Sequence, residues 1–303
     1  MKFVYVLVSN EKDNYLEQLY ISLLSFNLRM KSIKPLVVVD DLTYKGLSGN
    51  RDKIFNYADV LSVTLPKELN NKQKSRWLKT SLPEYINDDF LFIDCDTVIC
   101  EDLSSICDFK TGIYCVPDSH VEINKYKYEK RIKKNDKKLG FSASFKMQYH
   151  MNSGVILYHN TNENRDFYKK WHELWKYSNM KGVSSDQAAF NEVNYKSQNK
   201  LLELPGIWNC QISENGLKYL AESKIIHYFS STLKFYKSPY LFADSYLYKN
   251  ILDQDFVNQE IQTLLNHPRS AFHLENRILA DPCQLKAIDS KITKLLYRVY
   301  KHK

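Results

Sequence analysis

The sequence predicts an α/β protein: a mostly parallel sheet with helices on both faces. Three observations carry that prediction. Short apolar runs rich in β-branched residues recur through the N-terminal third, each the length of a strand. Between them lie segments whose apolar residues fall at helical spacing. Two of the runs end in acids, as suits the carboxyl ends of parallel strands, where ligands of such sheets bind.

The elements follow in order. A first strand covers Phe3 to Val8, and the helix after it places Leu16, Leu19, Tyr20, Leu23 and Leu24 on one side. PLVVVDD, from Pro35 to Asp41, and VLSVTL, from Val60 to Leu65, are the next two strands. Residues 71–86 read as a helix that Pro83 kinks or breaks, because proline has no amide hydrogen to give. FLFIDCDTVI, from Phe90 to Ile99, is the most apolar strand and runs straight into Asp94 and Asp96. Residues 122–138 carry dense lysines and read either as a solvated helix or loop, or as a mobile segment folding over a site. SGVILYH is a further strand, with Gly154 at its start allowing close backbone approach. Ser184 and Ser185 precede AAFNEV as a helix cap, with Asp186 in the first turn. Residues 1–240 make the main domain, and residues 241–303 a helical extension with breaks at Pro268 and Pro282.

Composition narrows the class. With 44% hydrophobic and 26% charged residues, the 303-residue chain is globular and long enough for a large core. Six cysteines without zinc-site spacing suit a reduced, cytoplasmic protein. The N-terminus lacks a small-residue cleavage site, and no apolar run approaches the length of a membrane span. A net charge of +8 suits an anionic partner: nucleotide phosphates, anionic lipid or nucleic acid. The sequence has no aromatic-plus-glycine RNA motif and no recognition helix, so no nucleic-acid partner is expected.

Asp94 and Asp96 stand two apart on extended chain and so face one object. Paired charge at a core boundary is costly unless neutralised, and a hard divalent cation such as Mg²⁺ or Mn²⁺ neutralises it. Acids also punctuate strand ends as turn formers, and that reading stands beside the first. HMNSGVILYHN, SSDQAAFN, ELPGIWN and KIIHYFSS then follow in order. With the Asp-x-Asp, this series resembles glycosyltransferase family 8, the retaining nucleotide-sugar transferases of GT-A fold, over roughly residues 1–235.

The resemblance implies a Rossmann-like GT-A domain and a role for each matching residue. Asp94 and Asp96 match the pair that holds Mn²⁺ on a donor diphosphate, Asp94 also lying near the donor sugar, and His227 matches the third metal ligand. Asn152 matches a residue that binds sugar hydroxyls, and Asp186 and Gln187 match a catalytic pair beside the anomeric carbon. Asp118 matches an acid near the transferred sugar and Asn209 a residue on the acceptor side. At the nucleotide end the likeness implies Val8, Ser9, Asp13 and Tyr15 around uracil, and Lys79 near the donor. The family's histidine is followed by Gly and then Lys-Pro-Trp, but here the text is HYFSSTLKFYKSPY, so Lys234 or Lys237 supplies the diphosphate ammonium in an unsettled register. The implied reaction moves a hexose, galactose or glucose, from a UDP-sugar to a glycan or glycolipid acceptor of the bacterial cell surface. Front-face attack, the departing phosphate taking the acceptor's proton, stands ahead of a covalent intermediate on Asp186 or Gln187.

The C-terminus adds a membrane question. Ile288, Ile292, Leu295, Leu296 and Val299 fall at helical spacing, with Lys291, Lys294, Arg298 and Lys301 mostly elsewhere. Such a helix either packs on the catalytic domain or lies on the anionic inner face of the plasma membrane. Two alternatives to transfer remain: a non-catalytic nucleotide-sugar binder of the same fold, and a sugar nucleotidyltransferase. The latter ordinarily has a Gly-rich phosphate loop after the first strand, and LVSNEKDNY has no glycine.

Overall fold

In the computed structural model, which describes residues 1–212, 215–229, 240–248, 251–253, 258–272, 287 and 290–301, the sheet is organised around β1 (Lys2–Leu7). Alternation along β1 sends Phe3, Tyr5 and Leu7 into one core and Val4 and Val6 into another. Burial on both faces is why the run is continuously apolar.

α1 (Tyr15–Arg29) covers the first face with the apolar residues that its spacing predicts. β2 (Leu36–Asp40) pairs parallel with β1, α2 (Asp41–Lys45) follows with Asp40 as its cap, and β3 (Asp59–Val63) pairs parallel with β2. α3 (Asn71–Thr80) opens on a capping box made by Asn70 and Gln73. It stops before α4 (Leu82–Tyr85), which carries Pro83 in its first turn, so the proline breaks the helix rather than kinking it. β4 (Phe90–Ile93) lies parallel beside β1, and the Asp94–Asp96 turn separates it from β5 (Thr97–Ile99).

β6 (Ile113–Cys115) and β7 (Pro117–Glu122) lead into α5 (Glu129–Leu139), the lysine-rich stretch, and α6 (Ala143–Lys146). β8 (Tyr149–Met151) pairs with β7, and β9 (Val155–Tyr158) enters the main sheet. α7 (Asn162–Met180) and α8 (Asp186–Lys196) cover the second face through Trp171, Trp175 and Phe190. β10 (Leu201–Glu203), β11 (Cys210–Gln211), β12 (Ile225–His227), α9 (Gln259–Asn266) and α10 (Lys291–Lys301) follow.

The main sheet has the order β10-β6-β9-β4-β1-β2-β3, and every pairing is parallel except the two made by β9. Because β9 runs backwards, its start lies against the carboxyl end of β4, with Val155 opposite Ile93. The smaller sheet, β11-β12-β5, sets His227 opposite Thr97, next to the acids. These two registers build the site.

The described part of the extension joins the first core: Phe242, Tyr248, Ile251, Ile261 and Leu264 are buried in one cluster with α1. On α10, Ile292, Leu295, Leu296 and Val299 are 57–73% exposed. Pro282 and Ile288 lie outside the described residues. Among the described residues no helix is long and apolar enough to cross a membrane.

Candidate active site

Three segments meet at the carboxyl end of β4. The turn after β4 offers Asp94 and Asp96, β12 delivers His227, and one ligand atom from each lies within 4.8 Å of the others. Cys95, between the acids, points away and donates its thiol to the Val6 carbonyl. His227 Nε2 stands 3.2 Å from Asp96 Oδ1. Donor atoms around a hard cation with bonds of ~2.1 Å lie roughly 3–4 Å apart, so the trio suits Mg²⁺ or Mn²⁺ in spacing as in chemistry. Gly154 makes the approach feasible: a β-carbon there would stand 2.3 Å from His227 Cε1 and 2.9 Å from Asp94 Oδ2.

A buried relay orients His227. Burial alone would raise the Asp118 pKa, but His150 and Asn152 outweigh it and hold the carboxyl below its usual range. The ionised group only accepts, so Asn152 donates its Nδ2 to Asp118 Oδ1 at 2.9 Å. Asn152 Oδ1 is then an acceptor, and it receives the Gly154 N–H at 2.9 Å and Asn209 Nδ2 at 3.0 Å. Asn209 Oδ1 in turn accepts from His227 Nδ1 at 3.1 Å. The ring therefore presents Nε2 toward Asp96, which is the nitrogen a metal would use.

A cavity of about 630 Å³ runs past the trio, within the range of small-molecule sites. β1 and β9 flank β4 on opposite sides, so Val8 and Tyr15 wall it on one side of the acids and Asn152 and Ser153 on the other. α3 contributes Lys72, Arg76 and Lys79. Lys79 Nζ lies 3.3 Å from Asp94 Oδ1 and 3.7 Å from Asp186 Oδ2. Arg76 Nε lies 2.8 Å from Asp186 Oδ1, out of line for a hydrogen bond, and Ser153 Oγ donates to Asp186 Oδ2 at 2.9 Å.

The structure brings most of the expected residues together and sets a few apart. Val8, Tyr15, Lys79, Asp94, Asp96, Asn152, Asp186, Gln187 and His227 all line the cavity. Asp118 stands behind it and accepts from Gln187 Nε2 at 2.8 Å. Asp13, expected at the base, has both oxygens engaged: Oδ1 accepts from Ser9 Oγ at 2.7 Å and the Tyr15 N–H at 3.1 Å, and Oδ2 from the Asn10 N–H at 3.0 Å. It shapes the turn that presents Tyr15. Asn209, expected on the acceptor side, has no exposed surface and spends its amide on Asn152 and His227, so its place is behind the histidine. Ser185 occupies the cap position of α8 but makes no capping hydrogen bond; it lines the cavity instead. Lys234 and Lys237 lie outside the described residues. The sequence reading passes over Arg76 and Ser153. Arg76 had a signal, since it precedes Lys79 by three residues on one helix face.

A model of glycosyl transferase family 8 matches residues 7–238, a stretch that contains the metal trio, Asn152, Asp186 and Gln187. The chain belongs to glycosyltransferase family 8. No curated protein matches this glycosyltransferase. Among solved structures it is similar to mouse xyloside xylosyltransferase 1 in its apo form, at 11% identity and a TM-score of 0.53, over 76% of this chain and 98% of that one. It is similar to galactosyltransferase LgtC in complex with donor and acceptor sugar analogs, at 15% identity and a TM-score of 0.54, over 87% and 99% of the two chains. The apo bifunctional glycosyltransferase WbbM matches at 18% identity and a TM-score of 0.55, over 87% of this chain and 51% of that one. At such identities the likeness speaks to the fold, which is GT-A as the sequence resemblance implied.

Electrostatics divide the acids of this glycosyltransferase. Burial raises Asp94, and Lys79 offsets that only in part. Partial burial pushes Asp96 upward too, but the neighbouring His227 holds it below the usual range, and Asp96 in return raises the imidazole above its own despite burial. Asp186 is held low because Lys79 and Arg76 outweigh its burial. The site thus sets an ionised carboxylate between two cations, beside a trio suited to a dication.

Proposed function

We propose that this glycosyltransferase moves a hexose, galactose or glucose, from a UDP-sugar to a glycan or glycolipid acceptor of the bacterial cell surface, with retention of anomeric configuration. The observation that carries the reading is the meeting of Asp94, Asp96 and His227 on a cavity that also holds Asn152, Asp186 and Gln187. Val8 and Tyr15 take the uracil side, with Ser9 and Asp13 bracing their turn. Asp94, Asp96 and His227 hold Mn²⁺ or Mg²⁺, which when bound supplies Lewis-acid stabilisation of charge on a departing diphosphate.

Lys79 and Arg76 place fixed positive charge on the same wall. Asn152 orients sugar hydroxyls, held by Asp118, which also steadies Gln187. Asp186 has Oδ1 against Arg76 and Oδ2 on Ser153 and near Lys79. A carboxylate so engaged is a weak nucleophile, which favours front-face attack over a covalent intermediate. The exposed apolar residues of α10, with Lys291, Lys294 and Arg298 on the same helix, support a peripheral place on the cytoplasmic face of an anionic membrane.

The test is a UDP-release screen of the purified protein with UDP-galactose, UDP-glucose, UDP-GlcNAc and UDP-GalNAc, with Mn²⁺ and with EDTA. Slow, metal-dependent release from one donor is expected, lost in Asp94→Ala and Asp96→Ala. Full turnover in both variants removes the metal assignment, and no release from any donor removes the proposed donor class.

A further inference from the structure

The lysine-rich stretch 122–138 holds eight cations and three acids, a net +5 within a chain of +8. The fold sorts those charges. Glu122 pairs with Lys125 at 2.7 Å and Glu129 with Lys133 at 2.6 Å. Asp136 turns inward and accepts the Ser144 N–H at 2.9 Å. Lys130, Arg131, Lys134, Lys137 and Lys138 are all exposed and recur at helical spacing, so they share one face of α5. Among the described residues none of these five has a carboxylate within ion-pair distance. Like charges three and four apart, along about 12 Å of helix, repel one another and weaken it. Such a face is complementary to a partner with repeated negative charge.

Two further observations say which partner. Ile132 and Leu139 are buried, so the apolar residues of α5 face the protein and the helix offers lipid none, unlike α10. The basic face is also continuous with the active site. Arg131 lines a second cavity, of about 80 Å³, with Tyr126, Asp118 and Gln187, and Gln187 lines the main cavity as well. Tyr126 hydrogen-bonds Asp118, which accepts from Asn152 and Gln187.

Aromatic rings interleave with the cations. Arg131 lies 4.4 Å from the Tyr128 ring centroid, and Lys133 lies 5.9 Å from that of Phe145, a residue 51% exposed. Sugar rings pack their C–H faces on aromatic rings, while lysines bind acidic substituents. A glycan whose terminal sugar enters past Gln187 lays its following sugars along this face. Resting on the transferase reading above, we propose that the basic face of α5 docks the acceptor, and that the acceptor is an anionic glycan bearing phosphate or carboxylate groups beyond the sugar that reacts.

Fluorescence anisotropy tests this with labelled oligogalacturonate as the carboxylate probe, a phosphomannan oligosaccharide as the phosphate probe and a dextran oligosaccharide as the neutral one. The intact chain is compared with a variant carrying Lys130→Gln, Lys134→Gln, Lys137→Gln and Lys138→Gln. A charge-matched control carries Lys31→Gln, Lys34→Gln, Lys67→Gln and Lys110→Gln, four exposed lysines elsewhere. Glutamine keeps the helix propensity of lysine, and a thermal melt checks the fold. The wild type is expected to bind at least one acidic probe and not dextran. Affinity falls roughly tenfold or more in the α5 variant and less than about twofold in the control. The tighter of the two acidic probes names the acidic group. Equal losses in the two variants, dextran binding as tight as that of the acidic probes, or an α5-dependent loss found only with phosphatidylglycerol vesicles or single-stranded DNA overturns the proposal. The bound glycan must also alter UDP release from whichever donor turns over, upward as an acceptor or downward by keeping water out. An unchanged rate overturns docking on the acceptor path and leaves the donor reading standing. Absence of release from every donor overturns the donor reading and the acceptor role with it. Should the α5 variant fail to fold, acetylation footprinting of the wild type decides: Lys130, Lys134, Lys137 and Lys138 must be shielded by the bound glycan, and equal labelling with and without it overturns the surface.

Discussion

Gly154→Ala isolates the geometry of the metal trio without touching a ligand. The new β-carbon would stand 2.3 Å from His227 Cε1, 2.8 Å from His227 Nδ1 and 2.9 Å from Asp94 Oδ2. Carbon atoms settle about 3.5–4 Å apart, so the imidazole must retreat by roughly 1 Å. It has little freedom to do so, because Nδ1 is held by Asn209 and the Phe229 ring stacks on it at 4.0 Å between centroids. Metal–ligand bonds tolerate only about 0.2 Å, so the ion loses a ligand before the fold gives way. Overpacking of this kind costs roughly 1–3 kcal/mol of stability, and disturbing a ligand's support costs about 10–100-fold in metal affinity. The assay is Mn²⁺ titration by EPR in the presence of UDP, paired with a thermal melt. Mn²⁺ affinity is expected to fall at least about tenfold while the melting temperature drops only a few degrees. A variant that binds Mn²⁺ as the wild type does would refute the reasoning, since a displaced His227 would then not be a ligand.

Four further outcomes follow from other contacts. Arg76→Ala removes the cation nearest to Asp186, leaving it Lys79 and Ser153, and is expected to lower kcat/KM for the UDP-sugar by roughly 10–100-fold, with partial recovery in Arg76→Lys; unchanged kinetics would remove Arg76 from the site. Asn209→Ala removes the acceptor that His227 Nδ1 uses, so Mn²⁺ affinity in the presence of UDP should fall by about 10–100-fold, and unchanged affinity would break the relay. Burial depresses His120 and His172 from 6.5 to about 4. The unfolded chain therefore takes up their protons first, stability falls as pH drops from 6.5 toward 4 by up to about 3 kcal/mol for each, and His120→Asn should flatten that slope in denaturant titrations. For α10, Leu295→Glu with Leu296→Glu should weaken co-sedimentation with anionic liposomes by roughly tenfold or more, and equal binding would place the helix elsewhere.

Much of the site is legible along the chain because its parts are local. Asp94 and Asp96 announce themselves through spacing on one strand end, and Asn152 and Gly154, or Asp186 and Gln187, through short motifs beside recognisable elements. Other parts depend on partners that the chain does not place nearby. His227 reaches Asp96 across 131 residues, and only the antiparallel register of β12 on β5 makes that pair. The place of Asn209 behind His227 has the same origin: a Trp-Asn motif names a residue but not the direction of its amide. Asp13 is read from its neighbours as a ligand group, whereas backbone amides within its own turn occupy it first.

By itself the sequence determined the alternation of strand and helix, the burial of the central strands and the acidic pair at their edge. Each of these follows from a two-residue or 3.6-residue period that side chains express wherever they meet a core. Tertiary structure alone decided the reversed β9, the relay from Asp118 to His227, and the clamp of Arg76 and Lys79 on Asp186. Those depend on distances of a few ångströms between groups far apart in the chain, and no periodicity in one segment encodes them.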